Sequence, residues 1–197
     1  MKKNSRIQKT IFNLTFSFAL ILFIASCSNN SKPEDTKEVA EEHNDAKFDN
    51  KKQEKDAQFL VNAAEINLEE IKLGQLAQEK GNASHIKELG KMMEDAHTKS
   101  LAELIALAKT KIITIPTSPT DNAMDAFKKL DAKSGNNFDK EYADMMVSGH
   151  KDAISTFEKA SENCEDADIK NWASTMLPDL RKHLDHAIKC RKEFEKM

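Results

Sequence analysis

The chain predicts an all-α protein, an antiparallel four-helix bundle, and three observations carry that reading. Four long segments, about Asp56–Lys80, Ser84–Lys109, Phe138–Ser161 and Ala167–Glu195, repeat apolar residues at steps of three and four, the period of a helix buried along one face. Strand signals are nearly absent, since the β-branched run "KIITIP" reads as an extended exit from the second helix. Two short links, "GN" (Gly81, Asn82) and "ENCEDAD" (Glu162 to Asp168), join helices one to two and three to four. Links this short make antiparallel neighbours.

The elements follow in order from the N-terminus. "MKKNSRIQK" is basic and "TIFNLTFSFALILFIASC" is an apolar run ending at small residues, the layout of a bacterial export signal. The junction "IASC", Ile24 to Cys27, reads as a lipobox. Residues 1–26 are therefore expected to be a lipoprotein signal peptide and Cys27 the lipid-attachment residue. The apolar run is short for a membrane span, which needs about 20 residues. Removing Lys2, Lys3, Arg6 and Lys9 lowers Lys+Arg from 30 to 26 against 33 Asp+Glu, so the net charge becomes −7. That balance excludes nucleic acid as a partner, because phosphate capture rests on clustered Lys and Arg. The expected partner is the membrane, reached through the N-terminal lipid.

Residues 27–55 are predicted to be a lipidated N-terminus and disordered tether, being rich in charge and poor in apolar side chains. His43 is read there as a solvated residue. The bundle domain is placed at residues 56–197. Within it Gly81 suits a helix C-terminus, and Asn82 or Ser84 the cap of the next helix. The long middle crossing holds Pro116 and Pro119, then a short extra helix around Asn122–Leu130 that Gly135 ends. Pro178 predicts a kink near Leu177. The hairpins resemble each other locally: "SHIKELGKMM" and "ADIKNWASTM" place Ile86 beside Ile169 and Met93 beside Met176. Cys164 and Cys190 lie at opposite ends of the last helical segment, roughly 35 Å apart at the rise of a helix, so two free thiols are expected.

One polar group interrupts each apolar stripe. Glu70 sits among Phe59, Ala63, Ile66, Leu73 and Ala77; His97 among Ile86, Gly90, Met93, Leu104 and Leu107; His150 among Ala143, Met146, Ala153 and Phe157; His183 among Ile169, Ala173, Met176, Leu180 and Ala187. A carboxylate in a core is costly unless paired or metal-bound, bundle interiors are where helical proteins build cofactor sites, and imidazole suits zinc, copper and iron. Counted from the inter-helix turns, the four positions spread over about 10 Å along the bundle. Two readings stand: a transition-metal site such as Zn, Cu or Fe on Glu70, His97, His150 and His183, or a structural polar network with Glu70 against His97. A small rotation of the first helix would instead turn Glu65 or Glu69 inward. Met93, Met146 and Met176 share these stripes; thioethers select Cu(I), though Met is also an ordinary gap-filler in cores, the reading preferred here. Tyr142 and Trp172 read as packing residues, and His85 and His186, off the stripes, as solvated.

The stretches "FLVNAAEINLEEIKLGQLA", "MMEDAHTKSLAELIALA", "FDKEYADMMVSGHKDAI" and "LPDLRKHLDHA" together resemble domain-of-unknown-function family 4142. The resemblance covers nearly all of Asp56 to Phe194, at Glu70, Gly74, His97, Asp139, Tyr142, His150, Pro178 and His183. It implies a ferritin-like helical bundle in an exported bacterial protein, often an outer-membrane one, and no established activity. Di-iron chemistry on such a bundle takes a Glu from each of two helices and a Glu-x-x-His from each of the others. Only Glu94 to His97 has that spacing, as Val147 and Leu180 stand three residues before His150 and His183.

These observations predict a lipid-anchored cell-envelope binding module with a metal site at an interior Glu/His layer. The alternatives are an envelope interaction or stress-response protein with a structural polar core, and, behind both, a ferritin-like redox enzyme. No nucleophile–base pair, phosphate loop or CxxC supports hydrolytic, nucleotide or thiol chemistry. Ser28 after the cysteine is compatible with outer-membrane sorting, and the acidic "PED" with surface display.

Overall fold

A computed structural model describes residues 34–194, and among them every regular element is an α-helix. Their order is α1 (Thr36–Asp45), α2 (Lys51–Lys80), α3 (Ser84–Lys111), α4 (Asp121–Asp131), α5 (Gly135–Asn163) and α6 (Ala167–Phe194). The four long helices lie within one or two turns of the expected bounds. No described helix is long and apolar enough to cross a membrane. The export signal and Cys27 lie outside the described residues.

The tether expectation needs correction. Residues 36–45 form α1, and α2 begins at Lys51 rather than Asp56. Local chemistry makes this stretch helical: the Asp35 and Asn50 side chains accept from the N–H groups of Lys37 and Lys52, capping the two helix starts. Docking then holds it. Asn44, buried, donates to the Thr114 carbonyl at 2.8 Å and accepts from the Thr114 N–H at 2.9 Å. Lys37 pairs with Glu65 at 2.6 Å, and Asp35 accepts from the Asp121 N–H at 2.7 Å. Composition alone missed these because a few well-placed polar contacts to a distant loop replace apolar burial. His43 is exposed, as expected.

Two tight hairpins, α2–α3 and α5–α6, make the bundle, and their turns lie at opposite ends. Each turn is held crosswise by a buried aspartate from the other hairpin. Asp139 on α5 accepts from the N–H groups of Asn82 and Ala83, both at 2.8 Å. Asp56 on α2 accepts from Glu165 and Asp166 at 2.8–3.2 Å. The sequence spacing that relates Ile86 to Ile169 and Met93 to Met176 also relates Asp56 to Asp139, so the local likeness of the hairpins extends to how they are clasped. Orphan N–H groups at a helix start need an acceptor. No side chain caps the first turn of α3, neither Asn82 nor Ser84, and Asp139 instead holds the turn just before it; for α6 the local cap is Asp166, which accepts from Asp168 and Ile169.

Gly74 and Gly90 set how closely α2 and α3 approach. A Cβ on Gly74 would stand 2.6 Å from the Gly90 carbonyl oxygen, and one on Gly90 would stand 2.7 Å from that of Gly74. Gly135 opens α5 with a φ of 54° instead of ending the short helix, and α6 runs through Pro178 as one helix. Cys164 and Cys190 are free thiols.

The core has two apolar clusters. Phe59, Leu60, Leu104, Phe157, Ile169 and Trp172 fill the end at the α5–α6 turn. Leu73, Ile86, Met93, Phe138, Tyr142 and Met146 fill the end at the α2–α3 turn. Between them, at mid-height of all four long helices, lies a layer of buried polar side chains: Asn67, Glu70, His97, His150 and His183.

Candidate metal centre

Each histidine reaches the bundle axis because it occupies an apolar-stripe position near the middle of its helix. The turns lie at opposite ends, so midpoints of antiparallel helices meet, and the spread expected from counting residues closes to contact. Ring centres are 5.6 Å apart for His97–His150, 5.5 Å for His97–His183 and 5.4 Å for His150–His183. The three rings thus form a nearly equilateral triangle. One nitrogen from each lies within 4.8 Å of the other two.

Hydrogen bonds fix which nitrogens carry lone pairs. His150 Nδ1 is 2.9 Å from the Met146 carbonyl oxygen, which can only accept, so Nδ1 carries the proton. His97 Nδ1 is 3.0 Å from Asn67 Oδ1. The Asn67 amide is itself oriented, because its Nδ2 donates to the Ala63 carbonyl at 2.7 Å, leaving Oδ1 to accept from His97. Both imidazoles therefore bear a lone pair on Nε2. His97 Nε2, His150 Nε2 and His183 Nδ1 are buried with no hydrogen-bonding partner among the described residues.

Electrostatics agree with three neutral rings. Burial pushes His97 well below the ordinary imidazole range, with the neighbouring His150 and His183 adding to the effect. Burial, then His183, lowers His150 to about 4 against a pull upward from its bond to Met146. Burial likewise lowers His183, opposed by Asp179. Two lone pairs fixed on Nε2 of His97 and His150, beside the unpartnered Nδ1 of a third neutral ring, are what a cation satisfies.

The size of the triangle can be tested. An ion about 2.0–2.1 Å from one nitrogen of each ring stands about 3.2 Å from each ring centre, which spaces the centres by roughly 5.2 Å in tetrahedral and 5.5 Å in trigonal bonding. The observed 5.4–5.6 Å fits. Bringing the nitrogens together then needs ring rotation rather than movement of helices. Asn67 and the Met146 carbonyl would serve as the outer partners that orient metal-binding histidines.

Glu70 is buried in the same layer but stands apart from this cluster. Its Oε1 is 3.7 Å from His150 Nδ1, the nitrogen turned toward Met146. Gly149 makes its room, as a Cβ there would be 3.2 Å from Oε1. Burial first, then Glu69, raises the Glu70 carboxyl well above the usual range. The structure thus brings together His97, His150 and His183 and puts Glu70 beside them, against His150 rather than His97. The rotational alternative fails for Glu65, which accepts from Lys37, Thr120 and Asn122 at the periphery.

Asn67 is the site residue that sequence reading missed. Its signal was present, four residues after Ala63 and three before Glu70 on the same stripe. Glu94, the one Glu-x-x-His acid, faces α2 instead and accepts from Gln75 and Gln78 at 2.8 and 2.6 Å. His85 and His186 are half-buried rather than solvated: His85 packs on Phe194 at 5.4 Å between ring centres, and His186 Nδ1 meets Met92 Sδ at 3.0 Å. Tyr142 and Trp172 are buried core residues, as expected.

A cavity of about 640 Å³ opens between α3 and α6 and reaches Asn67, His97 and His183. Its walls include Ile66, Phe157, Met176 and Leu180.

An all-helical bundle whose two hairpins enclose a tris-imidazole layer is the class defined by these features. The chain matches the family model described as "Domain of unknown function (DUF4142)" over residues 40–189, and it belongs to that family. The match begins inside α1, in keeping with that helix being part of the domain. No curated protein and no solved structure matches the chain.

Proposed function

We propose that this protein is a lipid-anchored cell-envelope binding module that holds one transition-metal ion on His97, His150 and His183. The observation that carries the reading is the equilateral set of buried rings, each with a nitrogen lacking a partner. A structural network would be expected to spend those nitrogens on hydrogen bonds, since a buried polar atom left unpaired costs about 1–3 kcal/mol. Glu70 stands where it would balance charge by ionising once an ion is bound. All-nitrogen ligation suits Zn, Cu or Fe. The "IASC" junction at Cys27 supports the anchor, with which the bundle would stand in the envelope, at the outer membrane, facing the periplasm or the surface.

The redox-enzyme reading loses its carboxylates: Glu94 faces α2, and Glu70 is outside the ligand cluster. Elemental analysis of untagged protein purified from the envelope tests the proposal, with zinc titration of chelator-treated protein beside it. About one ion per chain is expected, lost in His97→Gln. Absence of stoichiometric metal together with unchanged zinc affinity in His97→Gln would overturn it and leave the structural core.

A further inference from the structure

We infer that the metal ion keeps an open position on the α3–α6 side, and that its ligand there is a small organic carboxylate whose apolar body lies in the adjoining cavity. This rests on the metal reading above and specifies what that site binds. A divalent ion on three neutral imidazoles leaves two positive charges in a buried layer, which demands anionic compensation. Glu70 is the one buried carboxylate of the layer and supplies a single charge; Asp179, near His183, is exposed on the cavity wall, so the remaining charge on the ion favours one more anion from outside.

The route is set by geometry. The cavity wall includes His97 and His183, while His150 and Glu70 lie behind it. An ion at the triangle would therefore present its free side to a space of about 640 Å³, within the range of small-molecule sites. A hydroxide or bicarbonate would occupy a small fraction of that space.

The lining decides between a small anion and an organic one. Ile66, Phe157, Met176 and Leu180 offer an apolar surface next to the rings. The charged side chains of the wall are mixed, Lys91, Lys99 and Lys182 against Glu88, Asp95, Glu103 and Asp179; Lys91 pairs with Asp95 at 2.8 Å, and Lys99 lies 3.9 Å from Glu103. Among the described residues this mixed wall makes no cationic clamp for a phosphate or sulfate group. Anion selection thus falls to the metal, and chain selection to the apolar wall. A monocarboxylate with an aliphatic body fits both.

The test uses the full mature chain loaded with Co²⁺, whose visible bands report its coordination sphere, titrated separately with octanoate, acetate and octanol. Octanoate is expected to shift the bands at a concentration at least about tenfold below acetate, because each buried methylene favours binding, and octanol is expected to leave them unchanged. Equal potency of octanoate and acetate would overturn the organic-acid assignment. A response to octanol equal to that of octanoate would overturn coordination by the carboxylate. Cobalt bands that vanish in His97→Gln yet ignore all three compounds would overturn this inference and leave the metal reading standing. Absence of His-dependent bands would overturn both.

Discussion

Acidifying the metal-free protein should destabilise it, by an amount that His150 makes calculable. In the unfolded chain this imidazole takes up a proton near its ordinary value of 6.5, whereas in the fold it does so only near about 4. Between those values the unfolded state binds more protons, so stability is fully present above pH 6.5 and falls as the pH drops through the window. At ~1.4 kcal/mol per pH unit the whole interval amounts to roughly 3 kcal/mol, of which roughly 2 kcal/mol is gone by pH 5. For a domain of this size that is a fall in Tm of about 4–8 °C. His97 and His183 shift in the same direction and steepen the loss. Glu70 opposes it: its raised carboxyl favours the fold at low pH, and that contribution fades as pH rises above 4.5. The assay is thermal unfolding followed by circular dichroism from pH 7.5 to 4.5 in the presence of a chelator, wild type beside His150→Gln. The difference between the two curves isolates the imidazole from surface carboxylates, and should narrow by roughly 2 kcal/mol between pH 7.5 and 5. Parallel curves would refute the claim that a neutral, desolvated ring stands at the bundle axis.

Asn67→Leu keeps the branch at Cγ but strips His97 Nδ1 of its acceptor, and should weaken zinc about 10–100-fold in chelator competition; unchanged affinity would mean that Asn67 does not orient a ligand. Gly90→Ala drives a methyl group to 2.7 Å from the Gly74 carbonyl oxygen and 2.8 Å from Ala77 Cβ, atoms that cannot swing away. A net loss of about 1–3 kcal/mol in urea denaturation is expected despite the better helix former. Asp139→Ala and Asp56→Ala each strand backbone donors at a hairpin turn, and each should cost about 2–4 kcal/mol by the same measurement. Ile112 closes α3 in the left-handed region with a φ of 57°, so Ile112→Gly should raise stability by about 1 kcal/mol, read as a higher Tm.

Periodicity was enough to reveal the four long helices, because each buries one continuous stripe over seven or eight turns. The same stripes exposed His97, His150 and His183, since an imidazole among leucines and alanines at steps of three and four has nowhere to point but inward. Two things were not legible. The docking of α1 depends on Asn44 matching both backbone groups of Thr114, a contact across 70 positions that no local pattern encodes. The partner of the triad also escaped. Glu70 looked central because a charge in a stripe is conspicuous, whereas Asn67, one turn away and level with His97, looked like ordinary helix polarity.

That one-turn difference bears on what the layer does. With the Glu70 carboxylate turned onto the inner nitrogens, the natural arrangement would have been a closed carboxylate–imidazole network that needs no ligand. Instead Glu70 stands 3.7 Å from the outer nitrogen of His150 and Asn67 accepts on the outer face of His97, leaving the inner nitrogens without a partner among the described residues. The seam between α3 and α6 is tied at one end by Lys111 to Asp166 and Asp168 at 2.7 and 2.6 Å, and at the other by His186 on Met92 and the Cys190 thiol on the His85 carbonyl. Between those ties, crossed by the Ser100 hydroxyl on Met176 Sδ at 3.7 Å, it parts into the cavity, at the height of the rings. The α2–α3 hairpin is packed tightly through Gly74 and Gly90, and the looser α3–α6 seam is where an ion and its ligand would enter.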